Sequence, residues 1–125
     1  MPDPVLLHVS SDLMLGGAVK SAAEAAGFVH VRALSWTAAQ AKRDIATPTL
    51  ILVDLELDGF SPPSPESVQP HLIAGYFAHV RTGLANAARA AGWTNIFTRG
   101  QIHGQGVGQL VALRPLVMAS LPEAT

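Results

Sequence analysis

Cysteine is absent from the chain, which excludes disulfides, thiolate metal sites and cysteine nucleophiles and is compatible with a reducing, cytoplasmic setting. Charge is sparse, at 14% of residues, and the two signs nearly cancel: eight basic against nine acidic residues leave a formal charge of −1. Without a basic excess or a clustered basic stripe, there is no electrostatic footprint for direct nucleic-acid or membrane-surface binding. No apolar run approaches the roughly 20 residues of a membrane span. The opening Met1-Pro2-Asp3-Pro4 lacks the basic n-region of a secretory signal. No nucleophile–base pair can be named, so no enzymatic activity is expected. What remains is 125 residues, 49% of them hydrophobic, enough for a single domain over residues 1–125 with a core that needs no staples.

The most informative stretch is Leu50-Ile51-Leu52-Val53-Asp54. Four large aliphatic residues in a row read as a strand buried on both faces, as in the centre of a parallel sheet. Its terminal carboxylate opens into the crevice where open α/β sheets place their chemistry. Upstream, Val5-Leu6-Leu7-His8-Val9 reads as a first strand and Ser10-Ser11-Asp12 as a helix N-cap cluster. A helix is predicted from about Leu13 to Ala26, with Gly27 as its C′ residue. Residues 28–34 form a second strand, and Thr37-Ala38-Ala39-Gln40 matches a capping box opening a short helix to about Ile45.

Between Asp54 and Pro70, the prolines Pro62, Pro63 and Pro65 leave room for one helical turn at most, around 65–68 with Ser64 as cap. Residues 71–76 read as a fourth strand. Val80, Leu84, Ala87, Ala88 and Ala91 then form a helical stripe, with Arg81, Ala85 and Arg89 on a more polar face. Gly92 ends that helix, Asn95-Ile96-Phe97-Thr98 gives a fifth strand, and Arg99-Gly100 turns away from it. The last helix, about Gln105 to Leu121, carries Pro115, which is expected to kink or restart it after Arg114. This alternation predicts a flavodoxin-like, three-layer α/β/α fold with a five-stranded parallel sheet in the order 2-1-3-4-5 and a third helix that is short or missing.

With that order, the chain resembles a response-regulator receiver domain over nearly all its length. Asp54 ends the third strand, Asp58-Gly59 follows like the family's acidic-Gly turn, and residues 90–99, Ala-Ala-Gly-Trp-Thr-Asn-Ile-Phe-Thr-Arg, resemble the stretch that ends the family's fifth strand on a basic residue. The resemblance implies a phospho-accepting Asp54, an acidic pair after strand one holding Mg²⁺, a hydroxyl after strand four and a Lys after strand five. Each part positions or neutralises the phosphoryl group. Here the acidic pair falls on Ser10-Ser11, or on Ser11-Asp12 with a one-residue slip. The hydroxyl position falls near Gly75, with the Tyr76 hydroxyl placed far out, and the Lys is Arg99, followed by Gly100 where the family has a cis-proline. Serine hydroxyls are weak Mg²⁺ ligands. Only Asp54 survives intact, which implies a pseudo-receiver: a signalling module working through a protein partner, with its phosphorylation switch lost or altered.

Alternatives stay open at single residues. Asp54 is either a residual phosphoacceptor or a carboxylate paired with Arg99 across the crevice. Asp12 is either a helix N-cap or first-turn residue favoured by the helix dipole or, with Asp54, a weak Mg²⁺ ligand. His79 and His103 lie on the same edge but lack metal-motif spacing. The glycines at 100, 104, 106 and 108 read as a flexible turn and loose helix start. Trp36 and Trp93 read as packing residues. A last helix apolar all round has more surface than one sheet covers, so Leu113, Leu116 and Val117 are expected to help form a homodimer or partner interface unless Pro115 folds both faces onto one core. Two further readings remain: an atypical Mg²⁺-dependent phosphoacceptor using Asp54, and a binder of a small anionic ligand above Asp54, Gly75 and Arg99.

Overall fold

The computed structural model describes residues 3–120, with the side chains of Leu13 and Met14 excepted. Five parallel strands, β1 (Val5–Val9), β2 (Val29–Ala33), β3 (Thr49–Asp54), β4 (Leu72–Phe77) and β5 (Ile96–Thr98), form one sheet in the order β2-β1-β3-β4-β5. Every residue of β3 is buried, because helices cover both faces of the sheet. Leu50 and Leu52 point into a core closed by α1 (Leu13–Ala25) and α4 (Arg99–Ala119). Ile51 and Val53 point into a second core, under α2 (Trp36–Lys42), a 3-10 turn (Pro65–Val68) and α3 (Thr82–Ala90). The third crossover holds only that turn, capped by Ser64, as its prolines require. Trp93 anchors this proline-rich segment by donating from its indole to the Pro63 carbonyl at 2.8 Å. Trp36, Phe60 and Trp93 pack edge to face in a row. Gly27 and Gly92 leave α1 and α3 with φ of +89° and +103°, the left-handed geometry that glycine adopts without a Cβ penalty.

Several local expectations are corrected. The cap of α2 is Ser35, whose hydroxyl accepts from the Ala38 amide, so the cap lies two residues before the expected box at Thr37. On α3 the fully buried residues are Ala85 and Ala88, while Ala87 is exposed and Val80, before the helix, is 74% exposed. Two small side chains let this helix lie close on the sheet, so the larger apolar residues lose the inward positions. The helix α4 begins at Arg99, directly on β5, because Thr98 and Gln101 close a capping box. The glycine-rich stretch is thus helical. Its one irregular residue is Gln105 (φ −126°, ψ 19°), between Gly104 and Gly106. A Cβ on Gly106 would stand 3.2 Å from that of Ala22, so this glycine lets α4 touch α1.

The helix runs through Pro115 without interruption, so it is not redirected there. Leu113 and Val117 are buried against the sheet and α1. Of the three expected interface residues only Leu116 lies on the surface, and Leu121, the expected helix end, falls outside the described residues. Among the described residues no helix is long and apolar enough to cross a membrane.

One polar pair sits inside the α1–α4 core. The Tyr76 hydroxyl and His8 Nε2, both fully buried, share a hydrogen bond at 2.7 Å. Nδ1 of His8 has no hydrogen-bond partner among the described residues. Burial, reinforced by the nearby His30 and Arg32 and opposed by Asp12, pushes the His8 pKa from 6.5 down to about 3. Burial and the negative charge of Asp54 push the Tyr76 hydroxyl up, so the pair is neutral. Below pH 6.5 the unfolded chain takes up a proton at His8 that the folded chain refuses, so stability is lost as pH falls from there toward 3. Between pH 7 and pH 5 this amounts to about 2 kcal/mol from His8 alone. Urea unfolding at both pH values is expected to show a smaller loss in His8→Leu than in the parent chain. Equal losses would mean that His8 is protonated in the folded state.

Candidate functional site

The site lies at the C-terminal edge of the sheet, where β1 and β3 end as neighbours and β5 ends one strand further on, beyond β4. Asp54 closes β3 and is 4% exposed. Its Oδ1 accepts from the Glu56 amide at 3.0 Å, turning the chain away from the strand. Its Oδ2 accepts from the Ser10 hydroxyl at 3.0 Å and from Arg99 at 3.4 Å. Ser10, the residue after β1, is buried and also accepts from the Asp12 amide through its hydroxyl oxygen. One serine therefore ties the loop after β1 to the end of β3. Arg32 on β2 holds the same loop from the other side, donating to the carbonyls of Ser10 and Asp12. Its guanidinium fills the space beside Gly16 that a Cβ would need.

Arg99 is the centre of the arrangement. As the first residue of α4 it rises directly from β5, which points its side chain back over the sheet edge. Its terminal nitrogen lies 3.0 Å from Asp12 Oδ2 and 3.4 Å from Asp54 Oδ2. Its Nε lies 3.2 Å from Glu56 Oε2, close enough for charge attraction though not aligned as a hydrogen bond. Burial alone would lower the Arg99 pKa, but the carboxylates of Asp54, Glu56 and Asp12 outweigh it and the net direction is up. Arg81 adds a longer contact of 3.6 Å to the other oxygen of Glu56 from a mostly exposed position, a pair of little energetic weight.

The structure thus brings together Asp12, Asp54 and Arg99. It does not bring in the others as expected. Ser11 is exposed and lines a separate cavity of about 390 Å³ with Trp36, Asp58 and Phe60; Ser10, one residue earlier, is the serine that meets Asp54. Gly75 lies within β4, not at its end, where an added Cβ would come within 2.9 Å of Trp93 and 3.0 Å of Leu55. The strand runs on to Phe77, which pairs in register with Thr98, so the position after strand four is held by Phe77 and Ala78 and offers no hydroxyl. Tyr76 is directly opposite Asp54 in register and is buried, not far out. Glu56 and Arg32 were absent from the expected set. The only signal for Glu56 is its place two residues past a strand-terminal Asp, where a tight turn brings the chain back over the edge.

The residues present do not fit Mg²⁺. The ion needs oxygens at about 2.0–2.1 Å in near-octahedral array, whereas Asp12 and Asp54 both converge on a guanidinium nitrogen. His79 and His103 are exposed, and among the described residues no group of three or more His, Asp or Glu side chains is placed to hold a metal ion.

No protein-family model matches the chain, and no curated protein matches it. Solved structures do. ShkA Rec1, crystallised in complex with c-di-GMP, superposes with a TM-score of 0.65 at 19% identity, covering 86% of this chain and 89% of that one. A response regulator from Thermotoga maritima superposes with a TM-score of 0.61 at 20% identity, covering 87% of this chain and 98% of that one. At such identities the likeness is one of architecture. The chain has the flavodoxin-like fold of response-regulator receiver domains, with its third crossover reduced to a single 3-10 turn.

Proposed function

We propose that the chain is a receiver-like signalling module that acts through contact with a signalling protein, without phosphorylation of Asp54 and without catalysis of its own. The observation that carries this reading is the saturation of Asp54. Phosphoryl transfer to a carboxylate needs an approachable oxygen and groups that neutralise the incoming phosphoryl charge. Here one oxygen is held by a backbone amide and the other by a hydroxyl and a guanidinium, in a residue that is almost fully buried. The hydroxyl-bearing position after β4 is apolar.

The anionic-ligand reading draws less support. ShkA Rec1 was crystallised with c-di-GMP, but a phosphate entering this crevice would meet a guanidinium already facing Asp12, Asp54 and Glu56.

The contact surface in this reading is the outer face of α4. Val111 and Leu116 are each more than half exposed, Val107 is 43% exposed, and Ala112, Pro115 and Ala119 lie exposed among them. A run of this kind, bordered by the half-buried Arg114 as its one charged residue, fits a protein contact, and a second copy of the chain is the simplest occupant.

Two measurements test these statements. Incubation with acetyl phosphate and Mg²⁺ followed by intact mass is expected to give no adduct; a phosphoryl adduct that disappears in Asp54→Asn would establish the Mg²⁺-dependent phosphoacceptor instead. Light scattering is expected to give a dimer that becomes monomeric in the Val111→Glu, Leu116→Glu double variant. Because both side chains are exposed, the melting temperature of the subunit should change little. A strict monomer at high concentration would remove the homodimer and leave only a different protein as partner.

A further inference from the structure

We propose that Arg99 is the resident cation of this crevice, a covalently attached replacement for the divalent ion that receiver chemistry uses. The proposal rests on reading Asp54 as a charge partner and not as a phosphoacceptor. Its basis is the misfit between Mg²⁺ and the site. Asp12 Oδ2 and Asp54 Oδ2 approach the same guanidinium nitrogen, at 3.0 and 3.4 Å. Glu56 closes on the Nε side at 3.2 Å. These carboxylates come from three separate sources, the loop after β1, the end of β3 and the turn beyond it, and they meet at Arg99.

The surroundings hold that geometry in place. Asp12 is fixed through its amide by the Ser10 hydroxyl and through its carbonyl by Arg32. Asp54 is fixed by the Glu56 amide and Ser10. The guanidinium is set by the start of α4, whose first turn is locked by the Thr98–Gln101 capping box. A planar fork of donors suits several carboxylates at once, which a compact ammonium does not. With a fixed positive charge among them, a divalent ion would face electrostatic repulsion and find its two convergent oxygens already engaged.

Two consequences follow. The parent chain refuses divalent ions at this edge, and removing the guanidinium turns Asp12, Asp54 and Glu56 into a cation site. Thermal melts of the full chain in MgCl₂ against NaCl of equal ionic strength read this without a phosphodonor, so their outcome is separate from that of the phosphorylation assay. The parent is expected to melt at the same temperature in both salts. Arg99→Gln should melt lower than the parent in NaCl, because three carboxylates lose their counter-charge, and should recover specifically in MgCl₂. Adding Asp12→Asn to Arg99→Gln should abolish the recovery. Mn²⁺ broadening of amide resonances at Asp12, Asp54 and Glu56 should be at least tenfold more sensitive to metal in Arg99→Gln than in the parent.

Should Arg99→Gln fail to fold, Arg99→Lys carries the test: its ammonium reaches fewer carboxylates, so the variant must bind Mn²⁺ more tightly than the parent. Binding of Mn²⁺ by the parent at Asp12 and Asp54 would overturn the proposal. So would an Arg99 variant that gains no metal affinity.

Discussion

A single guanidinium among three carboxylates is what allows this sheet to end on acids. Asp54 is the last residue of the most buried strand and is itself almost fully buried. An unpaired carboxylate in that position would carry a desolvation penalty of several kcal/mol. It is offset by charge from Arg99 and by hydrogen bonds from Ser10 and the Glu56 amide. Asp12 and Glu56 would otherwise repel Asp54 across a few ångströms; with Arg99 between them the repulsion becomes a shared attraction. The loop after β1, the turn after β3 and the start of α4 are therefore joined through one side chain, each also held by contacts of its own.

The same residue imposes a cost on α4. Arg99 is its first residue, and a cation at a helix N-terminus opposes the macrodipole. Two features counter it. The carboxylates supply negative charge at that end, and the capping box satisfies two amides that would otherwise be left open. The helix can then leave β5 with no intervening loop, which brings Arg99 back over the sheet edge and not out into solvent. Farther along, Gln105 departs from helical geometry between two glycines, and Gly106 lies against Ala22 of α1. That contact is a matter of backbone proximity, so glycine serves packing where the sequence alone pointed to a loose turn.

Strand order, layer arrangement and the degenerate third crossover were legible because each rests on local chemistry: an uninterrupted aliphatic run, alternating β and α patterns, and prolines that deny a helix. Asp54 and Arg99 were legible as strand-end residues for the same reason. What escaped depended on rotation and reach. Which of Ser10, Ser11 and Asp12 faces the crevice is decided by a one-residue rotation after β1, and a one-residue shift reverses the face. Ala85 and Ala88 took the buried face of α3 because the close approach to the sheet favours small residues, a tertiary effect no periodicity encodes. Pro115 left α4 continuous since the buried side chains Leu113 and Val117 flank it and anchor both halves to the same core. Glu56 entered the site through a turn that its own amide makes with Asp54.

These contacts also constrain how such a module could carry a signal. A ligand shifts a conformational equilibrium only through its differential affinity for two states. In a receiver that depends on metal and phosphoryl group, both can come and go, so both can bias the equilibrium. Arg99 cannot leave. Its charge is always present, its partners sit on three segments, and together they favour one arrangement of the sheet edge. In the reading proposed above, an input to this chain arrives as contact with a partner. The exposed apolar face of α4 is joined to Arg99 through a single helix, so in that reading the element that holds the fixed charge at one end also carries the proposed contact along its length.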